Sequence, residues 1–441
     1  MTRGACVGPN LLCSMTGAPE TAPRQMPLGS RLAFMALLPV AVACRPIRAL
    51  RRMLRMKPRL VWGPIPLISI KYWSAALRAR GYPSLTLVSF VPRINVRADF
   101  DRHTDEFLGP GGLSALARPY AVFAWLLVKA DIVFSFLDGG FLLETPLEQV
   151  EGRLLKLAGI KLVSFPYGSD IAVPGHIGAA EQGLLRDYPE FVERAERTRA
   201  RVDWFCRWSD VVIRNYQFGY LPRWDVVWPT MLAIDTDEWA GEHPAGDGHR
   251  PTGEVVVVHA PNHRHVKATD ALVRAVADLE REGLRVRLNL IEGRPNQEVK
   301  RAVIAADVLA DQFIAGYAMF AIEGLSAGKP VLSALSWMPD EVRTTQALQN
   351  CPIMDTNVDN LKENLRRLAR DPELRRTLGE AGRRFALDYH SLPAVAGSWE
   401  AIVDHLWRSA PLPPELPAGR SLQSTRSHAP DRRDPQPQQA H

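Results

Sequence analysis

Three short stretches place chemically capable residues where a predicted strand gives way to a loop or helix. In Gly316 to Val331 (GYAMFAIEGLSAGKPV) a polar loop opens a helix carrying one carboxylate, Glu323, and Gly-Lys-Pro stops that helix before a strand. Such a loop offers unpaired backbone N–H groups and the positive end of a helix dipole to an anion. One turn deeper, a Glu can accept hydrogen bonds from sugar or ribose hydroxyls. After a strand ending at His259 comes Ala260-Pro261-Asn262-His263-Arg264-His265-Val266-Lys267. There Arg264 can grip a diphosphate bidentately while Lys267 adds a point charge. Read alone, the same segment is also a solvated basic loop. Tyr167-Gly168-Ser169-Asp170 follows another strand. Gly168 permits close backbone approach, and Ser169 and Asp170 can bind hydroxyls or simply cap a helix. Ser135 and Asp138, at the end of the DIVFSF strand, are expected to face the same cleft.

Other constellations carry less. His259, His263 and His265 lack a carboxylate or thiol beside them, so no metal site is expected. The triplets Asp99-Phe100-Asp101 and Asp235-Thr236-Asp237 follow no buried strand with a second acidic partner and read as surface or capping acids. No Walker loop and no G-x-G-x-x-G opening the first helix is present. Five scattered cysteines, Cys6, Cys13, Cys44, Cys206 and Cys351, argue against a disulfide framework and suit a reducing cytoplasm.

The elements that must position these residues alternate between strand and helix, the pattern of an α/β protein with mostly parallel sheets covered on both faces. With 441 residues, 46% of them hydrophobic, the chain can form two such domains. Residues 59–240 read as a first Rossmann-like domain, with strands near 60–63, 84–90, 131–136, 161–165 and 210–213. A polar loop at 241–253 leads to a second, 253–390, with strands near 254–259, 284–291, 308–311 and 330–333. A helix in 391–409 is expected to pack back on the first domain. Residues 410–441 read as a disordered tail. In two open sheets of this kind, ligands bind beyond the carboxyl ends of the strands, which here means a central cleft between the domains.

Residues 1–58 read as a leader, disordered at first and then amphiphilic. The apolar run 32–44 is too short to span a bilayer as a helix, and Pro39 interrupts it. Arg45, Arg48, Arg51, Arg52, Arg55, Lys57 and Arg59 follow with no acid among them. That order opposes export and fits an interfacial anchor in which 32–59 meets an anionic membrane surface. A cleaved signal and an unstructured leader are the alternatives. The net charge of +6 is mild and the basic run has no interleaved aromatics, so nucleic acid is not an expected partner.

As a set, YGSDI, HAPNHRHVK, PTMLAIDTDEW, the block 311–331 and DPELRRTLGEAGRR resemble glycosyltransferases of the GT-B fold, similar to the family-4 group of retaining enzymes. The resemblance spans about 60–407. It implies a nucleotide-diphospho-sugar donor, held mainly by the second domain, and no obligatory metal or other cofactor. By resemblance, Lys267 and Arg264 stabilise the donor diphosphate as the catalytic cations and Glu323 holds the ribose. Gly316, Tyr317, Ala318 and Met319, with Asn262, lie along the phosphates or sugar. Gly168, Ser169, Asp170 and Ser135 line the acceptor side. The implied reaction is sugar transfer with retention to a glycan or lipid-linked acceptor, in surface polysaccharide or glycolipid assembly. The location is then cytoplasmic, peripheral on the inner face of the membrane. The chain also departs from the family pattern. The first of two family Glu falls on Ala315, an Arg on Asn262, a Gly after the Lys on Ala268, a Gly at the helix entrance on Ala318, and a first-domain His on Ser135. These departures support an alternative, a catalytically weak GT-B partner protein of a polysaccharide-synthesis complex. An epimerase or hydrolase on the same fold is a third reading.

Overall fold

The computed structural model describes residues 27–417 except 93, 94, 110, 179, 180, 241–252 and 315. Residues 1–26 and 418–441, most of the linker and Ala315 therefore lie outside the described residues. Residues 410–417 correct the reading of a disordered tail: Leu416 is buried, its N–H donates to the Val227 carbonyl at 2.8 Å, and the Val227 N–H donates to the Pro414 carbonyl at 2.9 Å, so this stretch runs along the edge strand of the first sheet. In chain order the first domain comprises α1 (Leu28–Met53), β1 (Leu60–Trp62), α2 (Ser69–Ala79), β2 (Ser84–Val88), β3 (Arg102–His103), α3 (Gly112–Lys129) and β4 (Ile132–Phe136). It continues through α4 (Glu151–Ala158), β5 (Lys161–Phe165), α5 (Glu181–Asp187), α6 (Glu190–Trp208), β6 (Val211–Arg214) and β7 (Val226–Val227). The second domain holds β8 (Val255–His259), α7 (Thr269–Arg281), β9 (Val286–Leu290), α8 (Asn296–Ala305), β10 (Val308–Ala310) and α9 (Met319–Ser326). After these come β11 (Val331–Ser333), α10 (Asp340–Arg343), α11 (Gln346–Gln349), β12 (Met354–Asp355), α12 (Leu361–Arg370), α13 (Pro372–Tyr389) and α14 (Leu392–Arg408).

The first sheet has seven strands in the order β3-β2-β1-β4-β5-β6-β7 and the second five, β12-β11-β10-β8-β9. Every pairing is parallel. Strands such as β4 (IVFSF) and β8 (VVVVH) are buried along their whole length, which is why they read as apolar runs rather than alternating patterns. Each sheet has one point where the chain reverses its direction of travel across the strands. That point lies between β1 and β4 in the first sheet and between β8 and β10 in the second. Two doubly wound Rossmann-like domains make this the GT-B architecture.

Each face of the first sheet has its own core. Val61, Val133 and Leu162 stand side by side across β1, β4 and β5 and meet Phe123 and Leu126 of α3, Leu154 of α4 and Phe205 of α6. On the other face Trp62, Phe134, Phe136 and Phe165 receive Trp73 of α2 and Trp399 of α14. Trp62 stacks on Phe134 at 3.8 Å, and Trp399 meets Trp62 edge-on at 4.8 Å. The last helix therefore belongs to the first domain's core although it follows the second domain in sequence. Its start is set by Ser391, whose hydroxyl accepts from the Ala394 N–H, just as Asp371 accepts from Leu374 at the head of α13.

Residues 28–53 correct the sequence reading of a leader. They form one 26-residue helix that continues through Pro39 and Pro46, both of which are exposed. Ser30, Leu37, Ala41, Cys44 and Arg48 make a buried stripe at helical spacing against α3 and α4. The lock is Arg48. Its guanidinium donates to the carbonyls of Leu127, Ala130 (2.9 Å) and Ala158 (2.7 Å), the ends of α3 and α4, and lies 3.5 Å from the buried Asp131. A cation at two helix C-termini meets their unsatisfied carbonyls and the negative ends of both dipoles. By length and composition alone, α1 is also the one helix among the described residues long and apolar enough to cross a membrane.

Candidate functional site

At the switch point of the second sheet, β8 and β10 run side by side and their carboxyl ends deliver two loops to one place. The first leads from His259 to Lys267 and into α7. The second leads from Asp311 to Ala318 and into α9. They are tied by an ion pair, with Lys267 Nζ donating to Asp311 Oδ1 at 2.6 Å. Both residues are buried, at 8% and 0% exposure. The other Asp311 oxygen accepts from the Ala318 N–H at 2.7 Å, so Asp311 fastens the entrance of α9 to the lysine loop. Lys267 also lies 5.9 Å from the Phe320 ring. Its neighbour Ala268 sits at φ +53°, a left-handed conformation that glycine adopts freely and alanine does not.

Glu323, in the second turn of α9, points its carboxyl deep into this junction although the residue is partly exposed. Among the described residues none hydrogen-bonds that carboxyl. Burial first, then the neighbouring Asp311, push it up to about 8, with Lys267 opposing. Across the cleft, Tyr72 in the first turn of α2 is near enough to respond to it. Burial and then the carboxylates of Glu238, Glu323, Asp99 and Asp235 push the Tyr72 phenol up to about 12.

The other expected donor residues are placed differently. Arg264 is exposed and held in surface ion pairs with Asp270 (2.7 Å) and Glu292 (2.9 Å), away from the Lys267 pair. Asn262 is exposed at the loop's outer side. Tyr317 is wholly buried, stacked on Tyr216 at 5.7 Å with its hydroxyl 3.2 Å from His390 Nε2, so its side chain belongs to the core rather than to a donor. Gly316 turns the chain at φ +48°, where an added Cβ would lie 2.8 Å from Met338 Cε. Met319 begins α9.

His259 is buried between the Ala310 carbonyl (2.7 Å) and Thr269 Oγ1 (2.9 Å), and burial lowers its pKa to about 4. His263 meets the Tyr188 hydroxyl at 2.6 Å and His265 pairs with Asp187. The three histidines thus diverge, and among the described residues no cluster of His, Cys, Asp and Glu is arranged to hold a metal ion. The last two instead join the α5–α6 turn of the first domain to the lysine loop of the second. Arg214 with Glu341 (2.9 Å) and the Tyr216–Tyr317 stack add further inter-domain contacts.

On the first domain, Asp170 is a structural residue. Its buried carboxylate accepts from the N–H groups of Tyr167 and Gly168, each at 2.9 Å, and of Leu137 at 3.2 Å. This holds Gly168 at φ +126° with Gln217 packed beside it. Ser135 corrects the sequence reading: it is 2% exposed and its hydroxyl donates to the carbonyl of Phe136 on its own strand, so it does not reach the cleft. A side chain on a strand buried on both faces has no route to solvent. Ser169 is partly exposed and faces a concavity bordered by α6. The sequence reading missed Asp311 and Tyr72. The signal for Asp311 was present, a carboxylate directly after an apolar strand at a switch point.

No protein-family model matches the chain, and no curated protein matches it. Among solved structures it is similar to Anabaena Alr3699/HepE in complex with UDP, at 12% identity over 78% of this chain and 99% of that one, with a TM-score of 0.48. It is similar to WaaG, a glycosyltransferase involved in lipopolysaccharide biosynthesis, at 15% identity over 79% and 99%, with a TM-score of 0.44. A putative UDP-N-acetylglucosamine 2-epimerase from Listeria monocytogenes stands at 11% identity over 82% and 100%, with a TM-score of 0.46. These are distant likenesses of overall shape, and the architecture described above rests on the strand orders themselves.

Proposed function

We propose that the protein is a glycosyltransferase that seats a nucleotide-diphospho-sugar against Lys267 and Glu323 and passes the sugar to an acceptor hydroxyl with retention. One observation carries this reading. Lys267, the entrance of α9 and Glu323 converge at the switch point of the second sheet and face the first domain. Lys267 uses one of its three donors on Asp311 and keeps the others for phosphate oxygens. Glu323 offers a hydroxyl partner one turn into α9. The N–H groups that open α9 supply an anion's remaining hydrogen bonds, and no step needs a metal. The decisive experiment is thermal stabilisation by UDP, GDP, ADP, CMP and their sugar conjugates. A ligand at a hundred times its Kd stabilises the native state by about 2.7 kcal/mol. A shift with one nucleotide diphosphate supports the assignment, and no shift across the panel removes it.

One observation favours the partner-protein alternative. Lys267 is neutralised by Asp311, and Arg264 is taken by Asp270 and Glu292, so little net positive charge remains where a diphosphate would sit. That reading predicts no sugar transfer to any acceptor.

A peripheral membrane location belongs to the proposal. The outward side of α1 presents Leu32, Met35, Val42, Ile47 and Leu50, and the helix contains no acid. Beside it, Arg45, Arg52, Lys156 and Lys161 border a cavity of about 230 Å³. Apolar side chains flanked by such a basic recess suit an anionic lipid surface.

A further inference from the structure

The carboxyl edge of the first sheet carries a second concentration of charge that the donor site does not use. Arg194, Arg197 and Arg201 follow one another along α6 at spacings of three and four residues and so share one face, with Thr198 four residues after Arg194 on the same side. With Phe191, that face borders a concavity whose opposite wall is Asp138, Tyr167 and Ser169. Asp138 is fully engaged there. One oxygen accepts from the Tyr167 hydroxyl at 2.8 Å, and the other lies 2.6 Å from Arg201, whose Nε also donates to the Leu137 carbonyl at 3.0 Å. Arg201 is thus fixed in place. Arg197 is exposed and pairs with none of the described carboxylates. Arg194, which has a partner of its own, Arg197 and the Asp138-bound Arg201 thus line this recess, and Arg197 offers it an uncommitted guanidinium, whereas Lys267 and Asp311 cancel at the donor site.

We propose that this recess binds a phosphate ester carried by the acceptor, leaving the acceptor's hydroxyl to reach the cleft. Guanidinium forks match phosphate oxygens in geometry, and the hydroxyls of Ser169 and Thr198 on the walls add neutral donors. Position supplies the link to the reaction. Phe191 lies 5.4 Å from Tyr188, and Tyr188 bonds to His263 in the lysine loop. A ligand anchored on α6 therefore lies one side chain away from the contact that joins the two domains. The acceptor role rests on the transferase reading. Phosphate binding itself does not.

The test is arginine labelling of the full chain by phenylglyoxal, mapped by peptide mass spectrometry at constant ionic strength. The probes are inorganic phosphate, glucose 1-phosphate, phosphatidylglycerol vesicles, UDP and chloride. Phosphate or glucose 1-phosphate should slow labelling of Arg197 about five-fold relative to chloride and leave the exposed Arg384 unchanged. Protection by vesicles as well would identify the phosphate as a lipid's, and protection by soluble esters alone a water-soluble acceptor's. Equal labelling with every probe overturns the site. Protection by UDP but by no phosphate ester reassigns it to the donor and overturns the acceptor role. Nucleotide-induced stabilisation without Arg197 protection leaves the transferase reading standing while this inference falls. The opposite pattern removes the transferase and keeps the anion site.

Discussion

Lys267 holds its own domain together as well as offering a charge. Its partner Asp311 is fully buried, so removing the lysine leaves an uncompensated carboxylate in the protein interior. Lys267→Ala should lose about 3–5 kcal/mol in urea unfolding, and Lys267→Ala with Asp311→Asn should recover most of that loss. The double variant is therefore the cleaner probe of donor binding. Ala268→Gly, next along the chain, should raise stability by about 1 kcal/mol by relieving a left-handed alanine, read as an increase in Tm. Glu323 has the opposite pH signature to a paired acid. Its folded pKa is raised from 4.5 to about 8, so its contribution is intact below about pH 4.5 and is lost as pH rises through about 8. Glu323→Gln should flatten the fall in stability across that window in a series of unfolding curves. If ribose hydroxyls donate to this group, nucleotide binding favours the carboxylate and releases a proton, which calorimetry in two buffers of different ionisation enthalpy detects. Glu323 and Lys267 were legible because each follows a strand at a recognisable spacing. Their link through Asp311 was not, since it joins positions 44 residues apart that meet only when β8 and β10 pair.

The elements were legible where local signals agree with the fold. Asp371-Pro372 and Ser391-Leu392-Pro393 announce the starts of α13 and α14, and both caps are formed. The apolar run of β8 shows a strand buried on both sides. Helix α1 was misread for a physical reason. A proline within a helix costs about 3 kcal/mol on local grounds, and only long-range packing can offset it. Here Leu37, Ala41 and Cys44 bury one face while Arg48 satisfies the ends of two other helices. Arg48→Met keeps much of the volume but leaves those carbonyls without their donor, while Arg51 and Arg59 still hold Asp131, and should lower Tm markedly. Ile47→Ser and Leu50→Ser lie on the outward side and should leave Tm within error. They should instead weaken co-flotation with anionic vesicles and have no effect with zwitterionic ones.

At the scale of the molecule, two sheets and a returning helix were legible from alternation and length, but the tightness of the joint between domains was not. Tyr188–His263, Asp187–His265, Arg214–Glu341 and the Tyr216–Tyr317 stack each unite residues from distant parts of the chain. Trp399 is the largest of these long-range commitments, seated among Trp62, Trp73, Phe134 and Phe165 from the other end of the sequence. Trp399→Ala should cost about 3–5 kcal/mol, measured by chemical denaturation. The loss should report on the first domain, although the residue follows the second. The same arrangement sets an order on biosynthesis. A nascent chain that has emerged through β7 has all the strands of its first sheet but an open aromatic slot on one face. The slot stays open while the whole second domain is translated, and closes only when the helix bearing Trp399 clears the ribosome.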